Sequence, residues 1–150
     1  MSAVMVSKYV VRPMVYEDYD ALSQSPESPL WVLLDETQRR FLLTTDAWTG
    51  LYEGKVIACG GIIRMWPGLA EAWIAVTPLA REHVVFLYRH VLAFLDLVTE
   101  TYKLRRIEAK LCASFILARK FAHRLGFTHD ALLKRYGPNG EDYMLVSKVI

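Results

Sequence analysis

Between Glu71 and Gly126 the hydrophobic pattern changes period from element to element. Glu71–Val76 reads as a strand. Pro78–Thr99 reads as a long helix, with apolar residues at 84, 87, 88, 91, 94, 95 and 98 forming a stripe at helical spacing. In Arg105–Cys112 the period falls to two, Ile107, Ala109 and Leu111 alternating with Glu108 and Lys110. Ser114–Leu125 is a shorter helix that turns Phe115, Ala118, Phe121, Ala122 and Leu125 inward, and Gly126 follows where a helix end needs a left-handed residue. Strands alternating with helices of this length predict a parallel pair joined by a crossover helix. Thr77-Pro78 is a strong helix start: Thr is a favoured N-cap, and Pro lacks only an amide that has no partner in the first turn.

Upstream, Lys8–Val11 is a short apolar run ending at Arg12-Pro13, a first strand whose proline suits a strand end or an edge. Tyr16–Ser23 is helical in pattern, with Asp18 in an acidic first turn ahead of Tyr19 and Leu22. Ser25-Pro26-Glu27-Ser28-Pro29 breaks it into a loop. Leu30–Leu43 reads as one helix or two short ones, with Trp31, Leu34, Phe41 and Leu42 toward a core. Ala47–Tyr52 and Val56–Met65 make a hairpin about Glu53-Gly54-Lys55. Gly60-Gly61 within the second of these strands predicts a bulge or a close approach by another backbone. Trp66-Pro67-Gly68 then turns the chain into Ala70–Val76, so three antiparallel strands follow in succession. At the far end Phe127–Tyr136 and Glu141–Val149 are strands joined by Gly137-Pro138-Asn139-Gly140, a strong hairpin signal.

At 150 residues, 53% hydrophobic and 23% charged, the chain has the composition of one well-buried globular domain. A formal net charge of +2 gives no reason to expect nucleic acid as a partner. The most apolar stretch, Val84–Val98, is interrupted by Arg89, His90 and Asp96 and is short for a membrane span. The N-terminus lacks the pattern of a signal peptide, so an intracellular chain with reduced Cys59 and Cys112 is expected. His83, His90, His123 and His129 are scattered, and no metal site is expected.

The element order resembles the GNAT (Gcn5-related N-acetyltransferase) fold over essentially the whole chain: an α/β (α+β) arrangement with a mixed central sheet of about seven strands flanked by about four helices. Val10-Val11-Arg12-Pro13 followed by Asp18 is similar to the family's opening strand and first helix. Ala118-x-x-Phe121-x-x-x-x-Gly126-Phe127 is similar to its fourth helix and the entry to its sixth strand. Trp66-Pro67-Gly68-x-Ala70-Glu71-Ala72-Trp73 and Arg135-Tyr136-Gly137-Pro138-Asn139-Gly140-x-Asp142-Tyr143 resemble a narrower branch, the acetyltransferase-like proteins of bacteriophages and prophages. That branch includes an internal virion protein of short-tailed phages, so the resemblance implies the host cytoplasm or association with a virion.

The resemblance implies transfer of an acetyl group from acetyl-CoA to an amine. Such a reaction needs a base for the ammonium, a donor for the oxyanion and a proton for the departing thiolate. Glu71, the one acidic residue of its strand, is the candidate base, and its neighbours Ala70, Ala72 and Trp73 suggest an apolar setting that would raise its pKa. The alternative is a strand-start Glu facing solvent. Ile74, Ala75 and Val76 match the stretch whose backbone holds the pantetheine arm in the family. The amides from Thr77 to Arg81 match the pyrophosphate segment, with Arg81 and His83 available for charge-assisted contacts. Ala118 matches the family's fourth helix on the cofactor side, and Ser114 is the nearest polar substitute for the Asn that the family often has three residues before it; as a helix N-cap Ser114 also has a sufficient structural reason to be there.

The chain departs from the family at three points. No glycine stands between Gly68 and Gly126, where the family has Arg or Gln, two residues, Gly, one residue, and Gly or Ala. Phe115 stands where Asn is common. Ala122 stands where a tyrosine acid is common, leaving Tyr136 or Tyr143 as substitutes. Three functions compete: an acetyl-CoA-dependent N-acetyltransferase acting on a small amine, a protein lysine or a protein N-terminus; a non-catalytic module that binds copies of itself or phage particle proteins; and a sensor of coenzyme A or another small ligand. The module predicts an exposed aromatic patch drawn from Trp31, Trp48, Trp66 and Trp73.

Overall fold

The computed structural model describes residues 7–23 and 34–150; the loop expected over 25–29 and the core role expected of Trp31 lie outside them. Strand β1 (Tyr9–Pro13) pairs antiparallel with β2 (Asp46–Tyr52), Tyr9 opposite Tyr52 and Pro13 opposite Trp48. Between them come helices α1 (Asp18–Ser23) and α2 (Glu36–Leu43). The start of α2 is fixed by a capping box: the Gln38 amide donates to the Asp35 carboxylate at 2.8 Å, and the Asp35 amide donates to Gln38 Oε1 at 3.0 Å.

Glu53 and Gly54 take φ of 49° and 79°, the positive pair that a type I′ turn requires, and join β2 to β3 (Lys55–Trp66). Pro67 and Gly68 join β3 to β4 (Leu69–Val76), with Gly68 at φ 94° as the glycine of a type II turn. A 3-10 helix (Pro78–Glu82) follows, then α3 (Val84–Tyr102), β5 (Arg106–Cys112), α4 (Ile116–Arg124), β6 (Thr128–Leu133) and β7 (Tyr143–Val149). The strands form one seven-stranded sheet in the order β1-β2-β3-β4-β5-β7-β6. Strand β4 is parallel to β5, whereas β7 is antiparallel to both β5 and β6, so the sheet is mixed as the sequence predicts.

Several local expectations are corrected. The helix expected over 78–99 is interrupted at His83, whose φ of −128° and ψ of 30° separate the 3-10 turn from α3. Thr77 does not cap with its side chain. Its hydroxyl donates to the Val56 and Ile57 carbonyls at 2.8 and 3.1 Å, and its amide to the Ile57 carbonyl at 2.9 Å. Tying the end of β4 to β3 in this way takes the hydroxyl that a regular helix start would use. Val84, expected in the buried stripe, is 43% exposed, and Leu87, Val91, Leu95 and Val98 form the buried face of α3. Ser114 is not the cap of α4; Phe115 occupies that position and makes no side-chain bond. The last two strands are shorter than expected, with a bulge between His129 and Ala131, and the Asn139-Gly140 turn belongs to a longer loop in which Gly140 takes φ 82°.

The contacts divide the chain into two compact units. One holds the described residues up to Gly61 together with Ile74–His83; the other holds Ile62–Trp73 together with Val84–Ile150. The first is centred on Tyr19, Leu22, Thr49, Ile57 and Cys59, all buried. Here the buried Asp18 carboxylate accepts from Arg12, from the Val15 amide and from the Thr49 hydroxyl, anchoring α1 to β1 and β2. The second is centred on Ile62, the buried face of α3, Ile107 and Val146.

Candidate active site

The parallel ladder between β4 and β5 covers three residue pairs, Leu69–Arg106, Ala70–Ile107 and Glu71–Glu108. It ends there although β4 runs on to Val76 and β5 to Cys112. Glu71 therefore stands at the last rung. Successive side chains of a strand point to opposite faces, so Glu71 shares its face with Glu108 and Lys110 and not with Ala70 or Ala72. Lys110 Nζ lies 3.3 Å from Glu71 Oε1. The Glu108 carboxylate accepts from Arg106 Nε at 2.8 Å, and Arg106 also pairs with Asp130. The apolar setting expected for Glu71 is thus corrected: it is half-buried within a ladder of alternating charges.

Lys110 connects Glu71 to the loop between β6 and β7. Its ammonium is 5.5 Å from the centre of the Tyr136 ring, and the Tyr136 ring packs against the buried Tyr143 at 5.2 Å between centroids. Burial alone would lower the Lys110 pKa, but the Tyr136 hydroxyl and the Glu71 charge outweigh it and raise the group above its ordinary value. The loop is packed closely here: a Cβ on Gly137 would come within 2.6 Å of a Glu141 carboxylate oxygen and 2.9 Å of the Tyr143 ring. The structure therefore gathers a carboxylate, an ammonium and a phenol. The sequence singles out Glu71 and Tyr136, and Lys110 joins them only through strand pairing. The alternation of β5 puts Lys110 on the same face as Glu108.

In the same unit, Ser114 is exposed, with its hydroxyl 3.4 Å from the Cys112 thiol, and Ala118 is half-buried on α4. Cys112 and the buried Cys59 are both free thiols. Burial pushes the Cys59 thiol up to about 12, so it stays protonated and takes no part in nucleophilic chemistry.

The remaining candidates lie in the other unit. Ile74 and Val76 are half-buried and Ala75 is buried, all in the extended second half of β4. Arg81 is exposed. His83 is engaged elsewhere: its Nδ1 is 2.7 Å from the Tyr9 hydroxyl, and its ring packs on Tyr52 at 4.4 Å between centroids. That arrangement occupies the Nδ1 edge of the His83 ring. The amides are also partly used, since Ala80 donates to the Thr77 carbonyl at 3.0 Å and His83 to the Ala80 carbonyl at 3.1 Å. The second half of this strand outruns its ladder with β5. The 3-10 turn does not provide the glycine cradle of the family.

Of the tryptophans, Trp48 is buried, Trp73 half-buried and Trp66 61% exposed. Among the described residues, no helix is long and apolar enough to cross a membrane. Nor is any group of three or more His, Cys, Asp or Glu among them placed to hold a metal ion.

No family model matches the sequence, and no curated protein matches it. Solved structures share its architecture. Ard1 from Thermoplasma volcanium matches with a TM-score of 0.80 and 16% identity, covering 95% of this chain and 98% of that one. The yncA protein of Salmonella typhimurium, a putative acetyltransferase solved with its cofactor acetyl-CoA, matches at 0.71 and 16% identity over 95% of this chain and 94% of that one. An acetyltransferase of the GNAT family from Bacillus anthracis matches at 0.70 and 13% identity over 97% of each chain. At such identities the likeness is one of fold, and the fold of this chain is that of the GNAT acetyltransferases.

Proposed function

We propose that this chain transfers an acetyl group from acetyl-CoA to an amine, with Glu71 as the base. The observation that carries this is the position of Glu71 at the last rung of the β4–β5 ladder, paired with Lys110. Acetyl-CoA supplies a thioester, and its acyl carbon passes to the amine nitrogen as the C–S bond breaks. Glu71 takes the proton that the ammonium must lose before its nitrogen can attack. Lys110 and Tyr136 both carry protons of the kind a departing thiolate needs. The backbone of Ile74, Ala75 and Val76 would hold the pantetheine arm. Thr77 and Arg81 would face the phosphates, and Ser114 and Ala118 would flank the cofactor from the start of α4.

A second reading is a chain of this fold without turnover, serving as an interaction module, in keeping with the resemblance to phage proteins. One observation favours it: the segment aligned with the pyrophosphate is a five-residue 3-10 helix with Pro78 at its start and Glu82 exposed. Calorimetric titration with acetyl-CoA, repeated on Arg81→Glu, separates the two. Saturable micromolar binding that is lost in the variant is the result expected of the enzyme. Absence of heat and of any thermal shift at millimolar ligand would overturn the acetyl-transfer reading.

A further inference from the structure

The turn between β3 and β4 carries an open surface groove of about 330 Å³ lined by Arg64, Trp66, Pro67, Gly68, Tyr102 and Leu104. All six residues belong to one compact unit, and neither Glu71 nor the stretch from Ile74 to Val76 is among them. The groove is therefore separate from the acyl-transfer residues, and its role does not rest on them.

Its chemistry is one-sided. Leu104 is buried, Pro67 adds apolar wall, and the Trp66 ring, 61% exposed, stands open to a partner. The Arg64 guanidinium lies over the Tyr102 ring, 4.1 Å from its centre. Stacking uses the face of the guanidinium and leaves its N–H edge. No carboxylate among the described residues is paired with Arg64, and no acidic side chain lines the groove. A second guanidinium backs the turn: Arg105 donates to the Pro67 carbonyl at 3.4 Å and covers Gly68, where a Cβ would come within 2.7 Å of Arg105 Cζ. An apolar groove with one cation on its wall and another behind it complements a flat apolar anion.

We propose that this groove binds a small aromatic carboxylate, its ring against Trp66 and its carboxylate on the Arg64 edge. A carboxylate accepts two parallel N–H bonds from a guanidinium, and offset aromatic packing adds to the apolar contact.

The test uses indole-3-acetate as probe and indole-3-acetamide, its neutral analogue, as control, read by proton–nitrogen NMR at the tryptophan side chains. The chain has four tryptophans, and the Trp66 indole signal is assigned by its loss in Trp66→Phe. The expected result is a saturable shift of that signal with the acid at sub-millimolar concentration, and little shift with the amide. In Arg64→Gln the affinity should fall roughly tenfold, as loss of a charge-assisted pair implies. Equal response to acid and amide, an unchanged affinity in Arg64→Gln, or no Trp66 shift at millimolar acid would each overturn the proposal. The acid-against-amide comparison is made on the unmodified protein, so it holds even if the arginine variant does not fold.

Discussion

Arg12 and Asp18 meet side by side, the two terminal guanidinium nitrogens each 2.8 Å from a different carboxylate oxygen. Asp18 is 4% exposed and also accepts from the Val15 amide at 2.9 Å and the Thr49 hydroxyl at 2.7 Å. Four donors converge on one buried carboxylate, and they come from β1, the turn after it and β2. Asp18→Ala leaves these donors without an acceptor. Arg12, 35% exposed, can recover water, which keeps the expected loss below that of a wholly buried pair. The expected cost is about 2–3 kcal/mol of unfolding free energy, read from urea denaturation. A loss under about 0.5 kcal/mol would mean that the network does not anchor α1.

The same carboxylate makes stability depend on pH. Burial alone would raise its pKa, but the bonds from Arg12, Val15 and Thr49 outweigh burial and hold it below its ordinary value of 3.8. The folded chain thus keeps Asp18 ionised at pH values where the unfolded chain protonates it. The contribution is present above the unfolded value and is lost as pH falls through the folded one. Denaturation midpoints of the unmodified protein should therefore fall more steeply below pH about 4 than those of Asp18→Asn, which lacks this proton. Parallel curves for the two proteins would remove Asp18 from the acid transition.

Much of the framework can be read from local chemistry because the deciding interactions are local. Glu53-Gly54 and Pro67-Gly68 announce their turns through the φ values they permit, and Gly126 takes φ 98° at the end of α4. The site is harder to read because its neighbours are brought in by pairing. Ala70 and Ala72 flank Glu71 in sequence but belong to the opposite face; Lys110 reaches it only through the β4–β5 register. His83 has the chemistry of a phosphate ligand, yet Tyr9 and Tyr52, far away in sequence, claim its ring. Thr77 has the chemistry of a cap, yet its hydroxyl is taken by β3. In each case tertiary hydrogen bonding overrides a sound local preference.

Gly61 tests the close approach that the Gly60-Gly61 pair signals. A Cβ built there would lie 2.6 Å from the Asp46 carbonyl oxygen and 3.0 Å from the Ala47 Cα. Both are backbone atoms and cannot rotate aside as a side chain would. Gly61→Ala should therefore lower stability by about 2 kcal/mol or more, in spite of the gain usual when glycine is replaced in an extended strand. Gly54→Ala is a useful contrast: nothing lies within 4 Å of its Cβ, so its cost comes from φ 79° alone and should be about 1 kcal/mol. Equal melting points for the two variants would show that β2 and β3 separate freely at this point.

Glu71→Gln separates chemistry from structure at the proposed base. The amide keeps the shape and one acceptor of the carboxylate and loses the charge that pairs with Lys110. Because both side chains of that pair are partly exposed, the stability change should stay under about 1 kcal/mol. Acetyl transfer to an amine should fall by about 100-fold or more, since the glutamine cannot accept the ammonium proton. Binding of acetyl-CoA should be unchanged, because Glu71 precedes the stretch proposed to hold it. Unchanged turnover would exclude Glu71 as the base. A large fall in both turnover and stability would make Glu71 a structural partner of Lys110, leaving the proton to another group. Lys110→Met then completes the argument: if Glu71 is the base and Lys110 a neighbour that holds its carboxylate in place, this variant should retain part of the activity. A loss as complete as that of Glu71→Gln would place Lys110 itself in the chemistry.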